Sequence, residues 1–455
     1  MSKRFAWLLG TVGMVLIGLL LACGSNYNSS SDGLVLVGSQ GSGLIETFSF
    51  NLNSGSVSAV GNTPTNTAGQ TCVLNGIPSS IVVDPAGAYA YTIINANSAC
   101  STGTVPSTNG ILAMKVNSDG TTTPGTQIAF NQANLLIQGS APPTTEAVSV
   151  VPSTMTMDAK GKFLFVANRA TTDSAQRFVP GSVSVFAIGN GGSVTEVTGS
   201  PFFASSPAMT VLQSSYDLIS AAPSPTVFPK IGANGVSNSV CSAKALNPPT
   251  SEYLYAVDTL GNQVFQFAVD TSSGVLTNAT ALGQPPVATD LVPVGIAVDP
   301  CDRFVYVSNS QTARVSAYTI CNGASTQSSH CPTTPDGSLW QVTNSPFSLV
   351  GSNSPGPLVV DPFGNFVYVV GTFSDTVSGL RISPNSGSLA ALSPTTVATG
   401  QRPTSIAIRA DDNWMFITNY TSGTISQYAI IPASGALTVQ QATSTDNYPW
   451  GVAVK

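Results

Sequence analysis

Very few side chains in this chain can carry acid–base chemistry. There is one histidine, His330, in the segment SSHCPTT, and there are four glutamates, Glu46, Glu146, Glu196 and Glu252. Hydrolysis by a serine, a histidine and a carboxylate needs the imidazole beside the nucleophile, and His330 reads as a solvated loop residue instead. Glycoside-type hydrolysis needs two carboxylates facing each other, whereas the four glutamates fall in different repeats of the chain. No two cysteines are spaced as zinc ligands, and one histidine cannot complete a set. No glycine-rich loop opens a helix to cradle a phosphate. Neither a metal nor a cofactor is therefore expected. What remains is a set of polar and aromatic residues at the gaps between apolar runs: Asn168, Arg169, Asn309, Arg314, Arg402, Asn419, Tyr420 and Trp450. Arginine grips a carboxylate or phosphate at two points, and tyrosine or tryptophan stacks on a sugar or peptide. The competing reading is that the asparagines close turns and that each arginine is solvated or locally paired.

The elements that would position these residues repeat. FVYVSNSQTARVSAYTI (304–320) is an apolar run, a polar gap and a second alternating run, which predicts two strands joined by a short turn. Relatives occur at 34–50, 89–116, 163–188, 253–269, 366–382 and 414–430, so the pattern is present seven times. Upstream of most copies lies a short apolar strand and a turn, as in PVGIAVDPCDRF (293–304) and PGPLVVDPFGNF (355–366). CSAKALNPPTSEYL (241–254) reads as a degenerate version. Asp84, Asp158, Asp299 and Asp361 in these turns are expected to accept from turn N–H groups, not to catalyse. A weaker strand follows each copy, as in SGVLTNAT (273–280). The unit is thus four antiparallel strands, a to d, recurring every 46 to 89 residues, which describes propeller blades. The first copy lacks strand a, and the chain ends on PWGVAVK (449–455), which has the form of one. The expected fold is all-β: a seven-bladed propeller over 33–455, closed by its C-terminal strand, which removes exposed sheet edges.

In such a blade the b–c and d–a connections share one face. The innermost strand is a, so the residues after its first proline line the channel mouth: Ser79–Ser80, Ser153–Thr154, Ser242–Ala243, Val294–Gly295, Gly356–Pro357, Thr404–Ser405 and Trp450–Gly451. That ring is small, hydroxylated and uncharged. Insertions at 95–110, 131–150, 169–182 and 202–240 are all assigned to the same face, where loops on a rigid scaffold carry function.

The F-V-Y-V-S-N … V-S-A-Y cadence resembles the YVTN repeat, and the chain is similar to the seven-bladed propeller lactonases of the phosphogluconolactonase and muconate-lactonising type. The resemblance implies a charged site with a G-x-x-P-R-H segment at the mouth. The nearest segments are GQRPTSI (400–406), with Arg402 before the proline, and DNYPWGV (446–452), and no histidine follows either. The family's S/A-N-R segment is matched by VANRA at Asn168 and Arg169.

Only 8% of residues are charged, against about 25% in ordinary proteins. The fifteen basic residues are scattered, so no nucleic-acid footprint exists. Lys3 and Arg4, an apolar stretch from Ala6 to Leu21 and LLAC at 20–23 describe an export signal, and the cysteine after the cut resembles a bacterial lipobox. The expectation is a leader at 1–22, lipidation of Cys23, a flexible tether at 23–32 and a monomer anchored to the cell-envelope membrane. Loss of Lys3 and Arg4 with the leader takes the net charge from −6 to −8. Of the other cysteines, Cys321–Cys331 and Cys72–Cys100 are the expected disulfides, with Cys241 and Cys301 left over. The missing histidine and the uncharged mouth favour a binding or scaffold propeller without catalysis, taking a small-molecule, glycan or protein ligand on the loop face. The alternatives are a lactonase using Arg169 and Arg402 with an unidentified carboxylate, and recognition of extracellular polysaccharide.

Overall fold

A computed structural model of the chain describes residues 32–63, 76–97, 108–137, 144–204, 216–225, 251–278, 285–322, 331–332 and 336–455. Seven antiparallel sheets, each built on a four-strand path, form the blades, and two short two-stranded ribbons accompany them. The strands corresponding to b are buried on both faces: Phe304–Asn309, Phe366–Gly371 and Trp414–Asn419 are buried at every position. Such strands read as continuous apolar runs because a neighbouring blade covers each side. Seven apolar clusters result, one at each junction between blades. The outermost strands face water; after its first residue Leu389–Ala398 has only exposed and half-buried positions.

The ring closes as the sequence implies. Pro449–Val454 pairs antiparallel with Asp32–Ser39, Val35 opposite Val454 and Ser39 opposite Pro449, and becomes the inner strand of blade one. The hydroxyls after the inner-strand prolines hold blade to blade. The Ser80 Oγ donates to the Met155 carbonyl (3.3 Å), Thr154 to Ile219 (3.1 Å), Ser308 in the adjacent strand to Gly356 (2.6 Å) and Thr404 to Trp450 (3.0 Å). The small hydroxylated ring is therefore largely a lacing around a crowded axis. The tyrosine of each F-V-Y-V run does the same farther out. Tyr255, Tyr306 and Tyr368 donate to the carbonyls of Gly337, Gly387 and Gly435 in the next blade, at 2.7, 3.1 and 2.8 Å. Those glycines have φ of 69°, 72° and 74°, and a Cβ there would meet an aromatic ring at 2.4–2.5 Å, so only glycine fits.

On the face of the a–b turns the repeated aspartates behave as expected. Asp84, Asp158, Asp299 and Asp361 accept from the N–H groups of Tyr89, Phe163, Arg303 and Phe366.

Blade four departs from the sequence reading. Its inner strand is Leu218–Pro223, paired with Glu252–Asp258, not the segment at 241–254. Leu218 is fully buried and Ala221 and Ala222 nearly so, and small residues suit the axis. The inner strand therefore falls within the long insertion: the described residues 202–204 and 216–217 precede it on the mouth face, while 224–225 and 251 flank the a–b connection on the opposite face. Ser242–Ala243 lie outside the described residues, and Ile219–Ser220 follow the first residue of the inner strand of blade four.

Cys321 and Cys331 form a disulfide, with Cα atoms 5.3 Å apart. Cys301, left over in the sequence reading, is also disulfide-bonded. Cys23, Cys72, Cys100, Cys241 and His330 lie outside the described residues, as do the leader and most of the tether. Among the described residues no helix is long and apolar enough to cross a membrane.

Candidate functional site at the channel mouth

The residue immediately before each inner strand stands at the mouth, and the backbone presents it in a repeated way. The carbonyls of Asp217, Val292, Ser354, Arg402 and Tyr448 accept from Thr259, Ser310, Thr372, Tyr420 and Gln40, the residues following the paired strand b. Four of these residues hold left-handed conformations, with φ of 56° at Val292, 49° at Ser354, 52° at Arg402 and 60° at Tyr448. Each costs on the order of 1 kcal/mol without glycine. The carbonyl bond and the register shift just after the proline hold the strained residue. The identities differ from blade to blade, with an acid in blade four, a base in blade seven and an aromatic in blade one. The scaffold therefore varies its chemistry at one geometrically constant position.

Blades three and four contribute a charge pair. Arg169 donates from Nε (3.3 Å) and Nη2 (2.8 Å) to Asp217 Oδ2, and Ala170 N–H donates to Oδ1 at 2.7 Å. The Arg169 side chain is 50% exposed and that of Asp217 8%, so the carboxylate is the buried anchor and the guanidinium the presented group. Asp217 N–H in turn donates to Asp258 Oδ1 (2.9 Å), and Gln263 Nε2 holds Asp258 Oδ2 (2.8 Å). Asp258 occupies the end of strand b, where blades three, five and seven carry Asn168, Asn309 and Asn419.

Those asparagines are spent within their blades. Asn168, Asn309 and Asn419 are buried to 1% exposure or less. Their amide nitrogens donate to strand c: Asn168 to Ser184 (3.0 Å), Asn309 to Ser316 (3.0 Å) and Asn419 to Ser426 (2.9 Å). In blade one Glu46 takes the serine's place on strand c. Its carboxylate accepts from Ser39 and from Asp446 N–H at 2.7 Å, tying the closing connection down. Burial first, then the Asp446 charge, raise its pKa against those hydrogen bonds. Arg314 lies 3.5 Å from Asp290, largely exposed.

Blades seven and one bring together residues far apart in sequence. Tyr420 stacks on Tyr448, with ring centroids 4.9 Å apart and planes at 30°, and meets the edge of Trp450 at 5.6 Å. The Arg402 guanidinium sits over Tyr420, 4.8 Å from its centroid. Tyr448 is 48% exposed and Arg402 is exposed.

Two of the insertions pack beside this mouth. The ribbon of Ala133–Ile137 with Thr144–Val148 and the smaller ribbon of Thr171–Thr172 with Phe178–Val179 share an apolar cluster of Ala133, Val148, Val150 and Val179. Arg177 pairs with both Asp173 and Glu146, and Ser174 Oγ donates to Glu146 at 2.7 Å. Among the described residues no three or more His, Cys, Asp or Glu side chains group as a metal site.

Of the sequence candidates, Arg402, Tyr420 and Trp450 are brought into contact, Arg169 and Arg314 stand at the mouth in ion pairs, and the three asparagines face inward. Asp217, Asp258, Asp290 and Tyr448 escaped the sequence reading. Asp217 was hidden by misplacing the inner strand of blade four. Tyr448 could have been found, because it precedes a strand-a proline just as Arg402 does.

Residues 248–454, from just before strand b of blade four to the closing strand, match the family model Lactonase, 7-bladed beta-propeller. Solved structures share the fold over almost the whole chain. A provisional 6-phosphogluconolactonase of Bacteroides fragilis has a TM-score of 0.62 at 17% identity, over 94% of this chain and 99% of that one. The periplasmic gluconolactonase of Pseudomonas aeruginosa has a TM-score of 0.62 at 18% identity, over 93% and 99%. A protein of Lactobacillus plantarum has a TM-score of 0.61 at 13% identity, over 93% and 99%. No protein with a curated description matches this chain. The chain thus has the fold of these propellers, and its C-terminal part, residues 248–454, matches the lactonase family model.

Proposed function

We propose that this propeller hydrolyses a sugar lactone at the channel mouth on the face of the b–c and d–a loops. The observation that carries the reading is Arg169, held at the mouth by a buried carboxylate with half of its side chain presented. In this reading Asp217 is the carboxylate that the sequence left unidentified. Lactone hydrolysis adds water to the ring carbonyl, breaks the ring C–O bond and protonates the released ring oxygen, giving a hydroxy acid. Charge develops on the carbonyl oxygen in the transition state, and a fixed cationic donor there is worth roughly 100-fold or more. Arg169 Nη1 makes no hydrogen bond among the described residues and can give that donor. Asp217 Oδ1, bonded among the described residues to Ala170 N–H, keeps a lone pair that can take a proton from the attacking water. The match to the lactonase family supports this reading over a propeller without catalysis.

The test follows acid release at constant pH from the mature protein with a panel of sugar lactones. Turnover with at least one lactone should fall about 100-fold in Arg169→Ala. Acid release unchanged by that substitution would overturn the assignment, and glycan binding with no turnover of any lactone would favour the polysaccharide reading. The lipid anchor expected at Cys23 would place the reaction in the cell envelope; a Cys23→Ala protein still labelled by lipid would remove that placement.

A further inference from the structure

The charge map of the mouth bears on which lactone enters. Among the described residues four arginines stand on this face. Three are neutralised by acids: Arg169 by Asp217, Arg177 by Asp173 and Glu146, and Arg314 by Asp290. Asp258 and Asp375 add further negative charge. Arg402 alone has no ion pair among the described residues; its neighbour is the Tyr420 ring, and only its backbone N–H meets an acid, Asp375 Oδ1 at 2.7 Å. A phosphate monoester carries about −1.5 to −2 charges at neutral pH and is bound by clustered cations, which this face lacks. It offers an exposed aromatic surface instead. Tyr448 projects from a left-handed backbone with nearly half its surface exposed, backed by Tyr420 and flanked by Trp450. The C–H face of a pyranose suits such a ring, and one guanidinium beside it can donate to ring hydroxyls at two points.

We infer that Tyr448, Tyr420, Trp450 and Arg402 form a subsite for an unphosphorylated sugar ring, which selects a neutral aldonolactone over its phosphorylated form. This deepens the lactonase reading and rests on it for the word substrate. The subsite itself does not depend on turnover. It is assembled by ring closure: Arg402 and Tyr420 come from blade seven, and Tyr448 and Trp450 from the connection and strand that complete blade one.

The test uses δ-gluconolactam, a ring-shaped lactone analogue that does not hydrolyse, and its 6-phosphate, titrated against the protein by calorimetry. The lactam should bind about tenfold tighter than its phosphate. Tyr448→Asn and Arg402→Asn should each weaken the lactam about tenfold or more, with unchanged melting, because asparagine tolerates the left-handed backbone; Tyr448→Phe should retain binding. Tighter binding of the phosphate, or lactam affinity unmoved in Tyr448→Asn, would overturn the subsite. Lactam binding lost in Tyr448→Asn, together with no turnover of any lactone, would sustain the subsite and defeat only the hydrolytic reading.

Discussion

The two faces of the propeller use the same repeat to opposite ends. On the face of the a–b turns, the repeated aspartates are spent on turn N–H groups and Arg303 on a buried ion pair. Arg303 is 5% exposed and gives two hydrogen bonds to Asp299, from Nε at 2.7 Å and Nη2 at 2.8 Å, while Nη2 also reaches the Gly364 carbonyl of the next blade. On the mouth face, Arg169 and Arg314 are about half exposed, and the position before each inner strand changes type from blade to blade. One face spends its charges on turns and blade junctions; the other presents them. Exposure separates the roles, since residue types alone do not.

Experiments that break this contrast are ordered by size. Deleting 449–455 removes the inner strand of blade one and leaves Val35–Ser39 with an open edge. The cooperative melt should vanish, a loss comparable with total domain stability, about 5 kcal/mol or more; a truncated protein that melts like the full chain refutes the closure. Arg303→Ala should cost about 3–5 kcal/mol in urea unfolding, because Asp299 is left buried without its partner. Lactone turnover by the folded fraction should stay within about twofold; a selective loss of turnover would mean the two faces are coupled.

Next comes Asp412, 1% exposed with φ of 58°. Burial first, then the charges of Asp361 and Asp411, push its pKa up to about 8. The unfolded chain ionises near the ordinary value while the folded chain keeps its proton, so the folded state binds more protons and stability falls as pH rises from about 4 to 8. Asp412→Asn should flatten that fall and gain on the order of 2 kcal/mol at pH 8; parallel pH profiles of melting temperature for both proteins would count against it. The smallest effect belongs to the mouth. Arg314→Ala should cost less than about 1 kcal/mol, since its pair with Asp290 is exposed; a larger loss would show that the mouth also holds the fold together.

Much of the fold was legible because its signals are local. An apolar run buried on both sides, an aspartate accepting from its own turn and a glycine where φ is positive each depend on a few neighbouring residues, and they recur. Closure was legible because a blade short of one strand and a chain ending on one strand imply each other. The site was legible only in part. Arg169 was marked out by a resemblance and Arg402 by its place before a proline. Asn168, Asn309 and Asn419 look polar in the sequence, yet the pleat turns them into the blade.

The sequence by itself determined the number of blades, their order, the closing strand and the turn-forming role of the repeated aspartates, all of which follow from short-range hydrogen bonding and the burial period of strands. Only the tertiary structure decided that Leu218–Pro223 lines the axis of blade four, because competition for the crowded centre is settled by packing against neighbouring blades. The same holds for the meeting of Arg169 with Asp217, 48 positions apart, and of Tyr420 with Tyr448 and Trp450. Those contacts exist because a ring of blades folds distant connections onto one face, and no local pattern encodes which side chains then touch.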